Sequence, residues 1–465
     1  MRKRSCALLA AMAASGIGQS AWASGYQFDV QSVRAQGSAN ASSAEAADPS
    51  TIFYNPAGLT WLSGTQLTLG ATAVDPHSHF SSRAGNTADG LAIAPADAGG
   101  SYAKQAAIPH GYLSHQINDK LTLGLGLFVP YGAKISYDDN FIGRYYGNHV
   151  DFKSLNINPS LGFRLSDRQS VGLGLSAQYL DMELGKNQDL ASLAYGLCQS
   201  SGNGAATCQA GAAAYTGLPD ARVRVTGSNW SYGFNAGYLF ANEDGTHIGL
   251  AYRSRIRQTL HGDARFTLPD ALPGGAASPV NAGLCTALAD GKASIDVTTP
   301  ESLSLSLFRP MTPRWSLMGD LSWIRHDHLQ DVEIDMPTAL LPDRKIVYQT
   351  AWRNSWRASL GADFLLNSRW TLRAGYMYDQ SPTTGANYAL TVLPDANRQM
   401  YSLGASYRLT ARDTVDLAYS YLKLQEAPVN RTDDDYLANN GTPGTLTGQY
   451  HTHVNLLGLG LTHRF

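Results

Sequence analysis

The sequence predicts an all-β protein, a transmembrane antiparallel β-barrel of about fourteen strands with an N-terminal hatch inside its lumen. Three observations predict it. The final strand alternates, with Leu457, Leu459, Leu461 and the terminal Phe465 on one face and Gly458, Gly460, Thr462 and Arg464 on the other, as a wall between lipid and a wet lumen requires. An export signal stands at the opposite end of the chain. Charged residues make up only 15% of the sequence, against about 25% in soluble domains, a deficit that a broad lipid-facing surface produces.

Residues 1–23 read as a secretory signal peptide. Arg2, Lys3 and Arg4 form its basic head, Cys6 to Ile17 an apolar run too short to span a bilayer, and Ala21-Trp22-Ala23 a small-residue cleavage site. Cys6 precedes the apolar run, so it is not placed as a lipoprotein acceptor. No later stretch holds about 18 uninterrupted apolar residues, and no transmembrane helix is expected. Removing the three basic residues moves the formal charge from −2 to −5, which excludes a nucleic-acid footprint. Mean hydropathy is a modest −0.21, because every second strand residue faces a wet lumen.

Residues 24–63 do not alternate. Ser38 to Pro49 is small and Ala-rich, and Asn55-Pro56-Ala57 follows; a segment of this length ahead of the first strand suffices for a hatch folded into the lumen, with a periplasmic tail as the alternative. Residues 64–465 form the barrel. Strands are expected near 64–75, 107–117, 120–130, 149–165, 168–184, 222–242, 246–266, 293–311, 313–336, 344–366, 369–381, 397–410, 413–426 and 448–465. Tight turns at Asn118-Asp119, Ser166-Asp167, Asn242 to Gly245, Asn367-Ser368 and Ala411-Arg412 alternate with longer connections at 76–106, 185–221, 267–292 and 427–447, the periplasmic and extracellular sides respectively.

Along the strand before Asn367, Trp356, Ala358, Leu360, Ala362 and Phe364 face lipid, leaving Ser355, Arg357, Ser359, Gly361 and Asp363 inside. The next strand turns Arg373 inward. Arg357, Asp363, Arg373 and Asp320 are expected to pair in the lumen, since charges there need partners; Arg357 and Arg373 are also the candidate cations for a substrate carboxylate.

Pro130 falls where the third strand should continue. It cannot donate its ladder hydrogen bond, and with Gly132 two residues later the wall either opens locally or the strand ends. The loops 185–221 and 267–292 carry Leu190, Leu193, Tyr195, Leu197 and Tyr215, and Leu268, Leu272, Leu284 and Leu288. They either pack on one another or bind something apolar. Cys198, Cys208 and Cys285 lie in these loops in an oxidising compartment. One disulfide is expected, with its connectivity open and one thiol left over.

Five short motifs in order give the chain a resemblance to the FadL-type outer-membrane hydrophobe transporters, a family that includes TodX-like aromatic-hydrocarbon channels. They are Asn55-Pro56-Ala57, Pro130-Tyr131-Gly132, Asp379-Gln380-Ser381-Pro382, Leu393-Pro394-Asp395-Ala396-Asn397-Arg398 and Val415-Asp416-Leu417-Ala418-Tyr419-Ser420-Tyr421. The resemblance implies capture of a long-chain fatty acid or similar hydrophobic molecule between extracellular loops. Transfer to an internal pocket and lateral release at a kinked third strand would follow, gated by Asn55, Pro56 and Ala57 in the hatch against Pro130, Tyr131 and Gly132.

Uptake of aromatic hydrocarbons is the alternative, ahead of a non-selective porin or a barrel-embedded lipase. Expected partners are the hydrophobic solute, outer-membrane lipid and the barrel assembly machinery, whose recognition signal the terminal Phe465 resembles; a monomer is expected. No nucleophile set or cofactor motif is present, so no enzyme and no cofactor are expected. His326-Asp327-His328, His451-Thr452-His453 and Asp433-Asp434-Asp435 read as solvated rims rather than metal ligands, because no third ligand is placed.

Overall fold

A computed structural model describes residues 26–87, 92–275, 278–336, 345–433 and 444–465. The signal peptide expected over 1–23 lies outside the described residues, as do Asp434 and Asp435. Fourteen antiparallel strands close into a barrel. In order they are Thr65–Asn86, Ala106–Gln116, Leu121–Phe128 with Gly132–Ser136, His149–Ser166, Gln169–Gln188, Ala221–Ala241 and His247–Arg253 with Ile256–Thr267. Gly291–Thr299 with Glu301–Pro310, Trp315–Arg325 with Asp331–Asp335 and Lys345–Gln349 with Ser355–Leu365 follow, then Trp370–Asp379, Arg398–Arg408, Asp413–Leu424 with Ala427–Asp433, and Gly444–Arg464. The first and last strands pair from Gln66 opposite Arg464 to Asn86 opposite Thr445. Phe465 therefore ends the strand that closes the wall.

Period-two patterning sorts the side chains. Leu457, Leu459, Leu461 and Phe465 are exposed on the outer face while Leu456 and Thr462 are buried; Trp356 and Leu360 are exposed while Ser355, Arg357, Ser359 and Asp363 are buried. On the side of the tight turns, Trp315 packs tilted against Phe364 with ring centroids 4.6 Å apart, and Trp370 against Tyr407 at 4.5 Å, an interfacial aromatic girdle. Short polar side chains hold those turns. The Asn118 carboxamide accepts from the amides of Lys120 (2.9 Å) and Leu121 (3.0 Å), and Asn367 accepts from Arg369 (2.9 Å) and Trp370 (3.0 Å), local bonds that fix the chain reversal.

Three long connections are shorter than the sequence suggests. The first strand runs on to Asn86 through the expected loop 76–106, Ala427–Asp433 and Gly444 onward pair within 427–447, and strands reach Gln188 and restart at Ala221. Backbone pairing continues above the membrane after the lipid-facing apolar alternation has stopped, and only that alternation marks a strand in the sequence. What remains of 185–221 folds into helices Leu190–Ser200 and Ala205–Ala212. Asp189 caps the first, accepting from the amides of Ala191 and Ser192.

The N-terminal segment lies inside the barrel, and no residue from Tyr26 to Leu62 is exposed. It carries helices Val33–Gly37 and Thr51–Tyr54 and a 3₁₀ helix Pro56–Trp61. Inward glycines let its backbone touch the wall. A methyl group at Gly172 would sit 2.2 Å from the Pro56 carbonyl carbon, and one at Gly375 2.2 Å from that of Ser38; no side chain fits either place.

Candidate functional site

The wall is interrupted where the third strand meets Pro130. Its lower half pairs with the second strand from Thr122 opposite Gln116 to Phe128 opposite His110, and the pairing stops there. The next second-strand residue is Pro109, so a proline stands on each edge, and neither can donate across the gap. Gly132–Ser136 resumes the third strand, pairing along its length on the far side with His149–Lys153 of the fourth. Above the gap the wall closes again, with the Lys104 amide donating to Lys134 (3.0 Å) and the Ser136 amide to Tyr102 (2.9 Å). Pro130 thus marks an interruption and not a strand end.

Backbone groups at this edge still need partners, and the N-terminal segment supplies them. The Phe28 amide donates to the Pro130 carbonyl (2.8 Å) and the Gly132 amide to the Tyr26 carbonyl (3.1 Å). Gln31, fully buried, acts as a mock peptide for Val129. Its Nε2 donates to the Val129 carbonyl (2.6 Å) and to Phe28 (3.0 Å), while its Oε1 accepts from the Val129 amide (3.2 Å). On the fourth strand, Ser154 Oγ accepts from the Tyr131 amide (2.9 Å) and donates to its carbonyl (2.6 Å). Every backbone group from Val129 to Tyr131 that can bond has a partner here, and most partners come from residues 26–31.

Directly inside lies an apolar cavity with about 940 Å³ of empty space including its mouth, lined by Tyr26, Phe152, Leu184, Val225, Ile334 and Trp352 among others. Lys186, 4% exposed near the end of the fifth strand, is among the lining residues. Tyr26 belongs to both places. Its ring stands in the cavity wall, 5.4 Å from Phe152 and 5.9 Å from Trp352, while its carbonyl holds Gly132 at the gap.

A family model for outer membrane protein transport proteins (OMPP1/FadL/TodX) matches residues 14–465. The chain belongs to this family. An outer membrane protein of Neisseria meningitidis serogroup B is 32% identical over 452 residues, covering 95% of each chain. The long-chain fatty acid transport protein of Escherichia coli K12 is 26% identical, covering 90% of this chain and 92% of its own. Among solved structures, a Pseudomonas aeruginosa FadL homologue superposes with a TM-score of 0.82 at 26% identity, covering 95% of this chain and 100% of the other. The Pseudomonas putida toluene transporter TodX superposes at 0.62 with 17% identity, covering 90% and 94% respectively, a likeness of fold. Membership makes this an outer-membrane channel for hydrophobic substrates and not an enzyme.

The family's Asn-Pro-Ala motif does not reach the gap in this FadL/TodX-type barrel. Asn55 caps the 3₁₀ helix by accepting from Ala57 (3.1 Å) and donates to the Tyr238 carbonyl (3.1 Å), which docks Asn55, Pro56 and Ala57 on the sixth strand. The expectation that this turn meets Pro130, Tyr131 and Gly132 is therefore corrected. The Asn-Pro turn is spent on local capping, and Tyr26 to Phe28 and Gln31 fill the gap instead. A link remains through Tyr54, whose hydroxyl accepts from the Gln31 amide (3.3 Å) and donates to the Asp29 carbonyl (2.9 Å).

Arg357 and Arg373 sit apart from the cavity lining. Arg357 pairs with Asp29 of the N-terminal segment and lies 3.4 Å from Asp379. Arg373 pairs with Asp363 (3.2 Å) and Asp416 (3.7 Å), and Arg34 joins the same cluster through Glu45 and Asp363. Both arginines tie the lumen together, as buried charges with carboxylate neighbours do. Asp320 accepts from Ser322 (2.9 Å).

The two apolar loops pack on each other, with Leu190, Ala194, Tyr215, Leu284 and Leu288 in one cluster. Cys198 and Cys208 form the disulfide and Cys285 is free. His326 is buried against Trp352 (5.6 Å) and is no solvated rim. It faces inward where the ninth strand breaks, and alternation alone could not show that.

Proposed function

We propose that this channel takes up long-chain fatty acids, holding the acyl chain in the apolar cavity, pairing its carboxylate with Lys186 and releasing it sideways between the second and third strands. The observation that carries this reading is the double placement of Tyr26. A chain entering the cavity competes with the Tyr26 ring for space, and displacing that ring draws its carbonyl from Gly132. The ligand then drives opening by its preference for the state in which residues 26–31 have withdrawn, the only source of free energy such a switch has. In this reading residues 24–63 are the hatch, Gln31 and Tyr26 to Phe28 its latch, Pro130 to Gly132 the gate edge, and Asn55 to Ala57 the anchor about which the latch moves.

Lys186, and not Arg357 or Arg373, meets the carboxylate, because it borders the cavity and those arginines stand away from it. The E. coli relative named for long-chain fatty acids supports the substrate class. The aromatic lining of Tyr26, Phe152, Tyr348 and Trp352 favours aromatic hydrocarbons as a second reading, one in which Lys186 takes no part. Uptake of oleate and of toluene, measured in cells carrying or lacking the protein, separates them. Oleate uptake that depends on the protein and falls in Lys186→Met is expected; protein-dependent toluene uptake without oleate uptake would replace the first reading with the second.

A further inference from the structure

On the outer wall, the first and last strands bring four histidines together from opposite ends of the chain. His77 lies opposite His453 and His79 opposite His451 in the closing register. The rings face each other, with centroids 4.8 Å apart and planes 9° from parallel in the first pair, and 4.6 Å and 13° in the second. The lipid-facing run Leu461, Leu459, Leu457 stops just below. His453 stands four residues above Leu457, roughly 13 Å at strand rise, which puts the pairs at headgroup height and in contact with water.

We propose that these pairs form a transition-metal site, taking Cu²⁺ or Zn²⁺, that clamps the closing seam of the barrel. Imidazole nitrogen is a good ligand for both ions. The surroundings are those of a cation site, since Asp75 Oδ2 lies 3.9 Å from His77 Nδ1 and Glu426 Oε1 lies 3.7 Å from His451 Nδ1. At these distances the carboxylates add negative charge beside the rings without hydrogen-bonding them, which favours a cation. Lys423, opposite His453 in register, is the opposing charge. A phosphate-bearing ligand fits less well, because the two carboxylates outnumber this lysine. Among the described residues no three His, Cys, Asp or Glu side chains converge on one point. Each ion is therefore held by two rings, one from each strand, with water in the remaining positions. Turning these rings so that their lone pairs converge needs only side-chain rotation.

The test uses the untagged mature protein in detergent, titrated with CuCl₂ and followed by calorimetry and electron paramagnetic resonance. Saturable binding is expected, with coupling to two imidazole nitrogens per ion. It should weaken at least tenfold in the variant H77A/H79A/H451A/H453A, whose substitutions point away from the lumen. Because the ion bridges the first and last strands, Cu²⁺ should also raise the unfolding temperature of the parent protein and leave that of the quadruple variant unmoved. Copper binding undiminished in the quadruple variant, or no saturable binding by the parent, would overturn the proposal.

Discussion

Replacing Gln31 by alanine tests the latch at its most specific point. The change removes three hydrogen bonds, at 2.6, 3.0 and 3.2 Å, two of them to the Val129 backbone. The bond to Phe28 lies within the latch, so the two to Val129 set its hold on the wall, and a net value of about 1 kcal/mol for each sums to roughly 2 kcal/mol. Water entering the vacated space restores part of this, so a loss of about 1–2 kcal/mol is expected. That shifts the ratio of withdrawn to docked latch roughly 5- to 30-fold. Hydrogen exchange reads the shift directly. The amides of Phe28 and Gly132, bonded only across the latch, should lose protection by about that factor, while the Ile135 amide, in the segment paired with the fourth strand, should not change. Unaltered protection of Phe28 and Gly132 in the Gln31→Ala protein would refute the reasoning.

Other outcomes follow from the same geometry. Lys186→Met should weaken fatty-acid binding roughly 10- to 150-fold, the worth of a charge-assisted hydrogen bond of about 1.5–3 kcal/mol, and leave an alkane of equal length unaffected; fluorescence displacement measures both. Tyr26→Ala keeps the carbonyl that holds Gly132 but removes the ring from the cavity, so a bound fatty acid should no longer deprotect the Gly132 amide. Gly172→Ala forces a methyl into the Pro56–Ala57 backbone and should cost about 1–3 kcal/mol, seen as a lower unfolding temperature and faster proteolysis near Asn55. Gly211→Ala, with open space around it and within helix Ala205–Ala212, should not lower the unfolding temperature and serves as the control.

The barrel was legible because lipid imposes a period of two on every strand, and turns such as Asn118 and Asn367 carry their own hydrogen-bonding chemistry. The proline at 130 showed as a fault in one strand, but whether the strand ended there depended on pairing that alternation does not encode. Pro109, on the opposite edge and one position out of register with Pro130, is a second proline that points to a gap. Gln31 and Tyr26 gave no signal. Their partners lie about a hundred residues away, and neither residue type is unusual in a segment without periodicity. Lys186 fell in the expected loop 185–221, and only the strand's continuation to Gln188 places it beside the cavity. His451 and His453 were visible as a pair, but His77 and His79 join them only through closure of the first strand against the last.

The central claim is that solute leaves through the wall when residues 26–31 let go of the third strand. Gln27 and Tyr131 are antiparallel bridge partners, so cysteines at these two positions meet the separation a disulfide needs. In a Cys285→Ser background, oleate uptake should stop when the Gln27→Cys/Tyr131→Cys pair is oxidised and return on reduction, with the parent protein unaffected by either treatment. Undiminished uptake through the cross-linked protein would contradict lateral release at this gap.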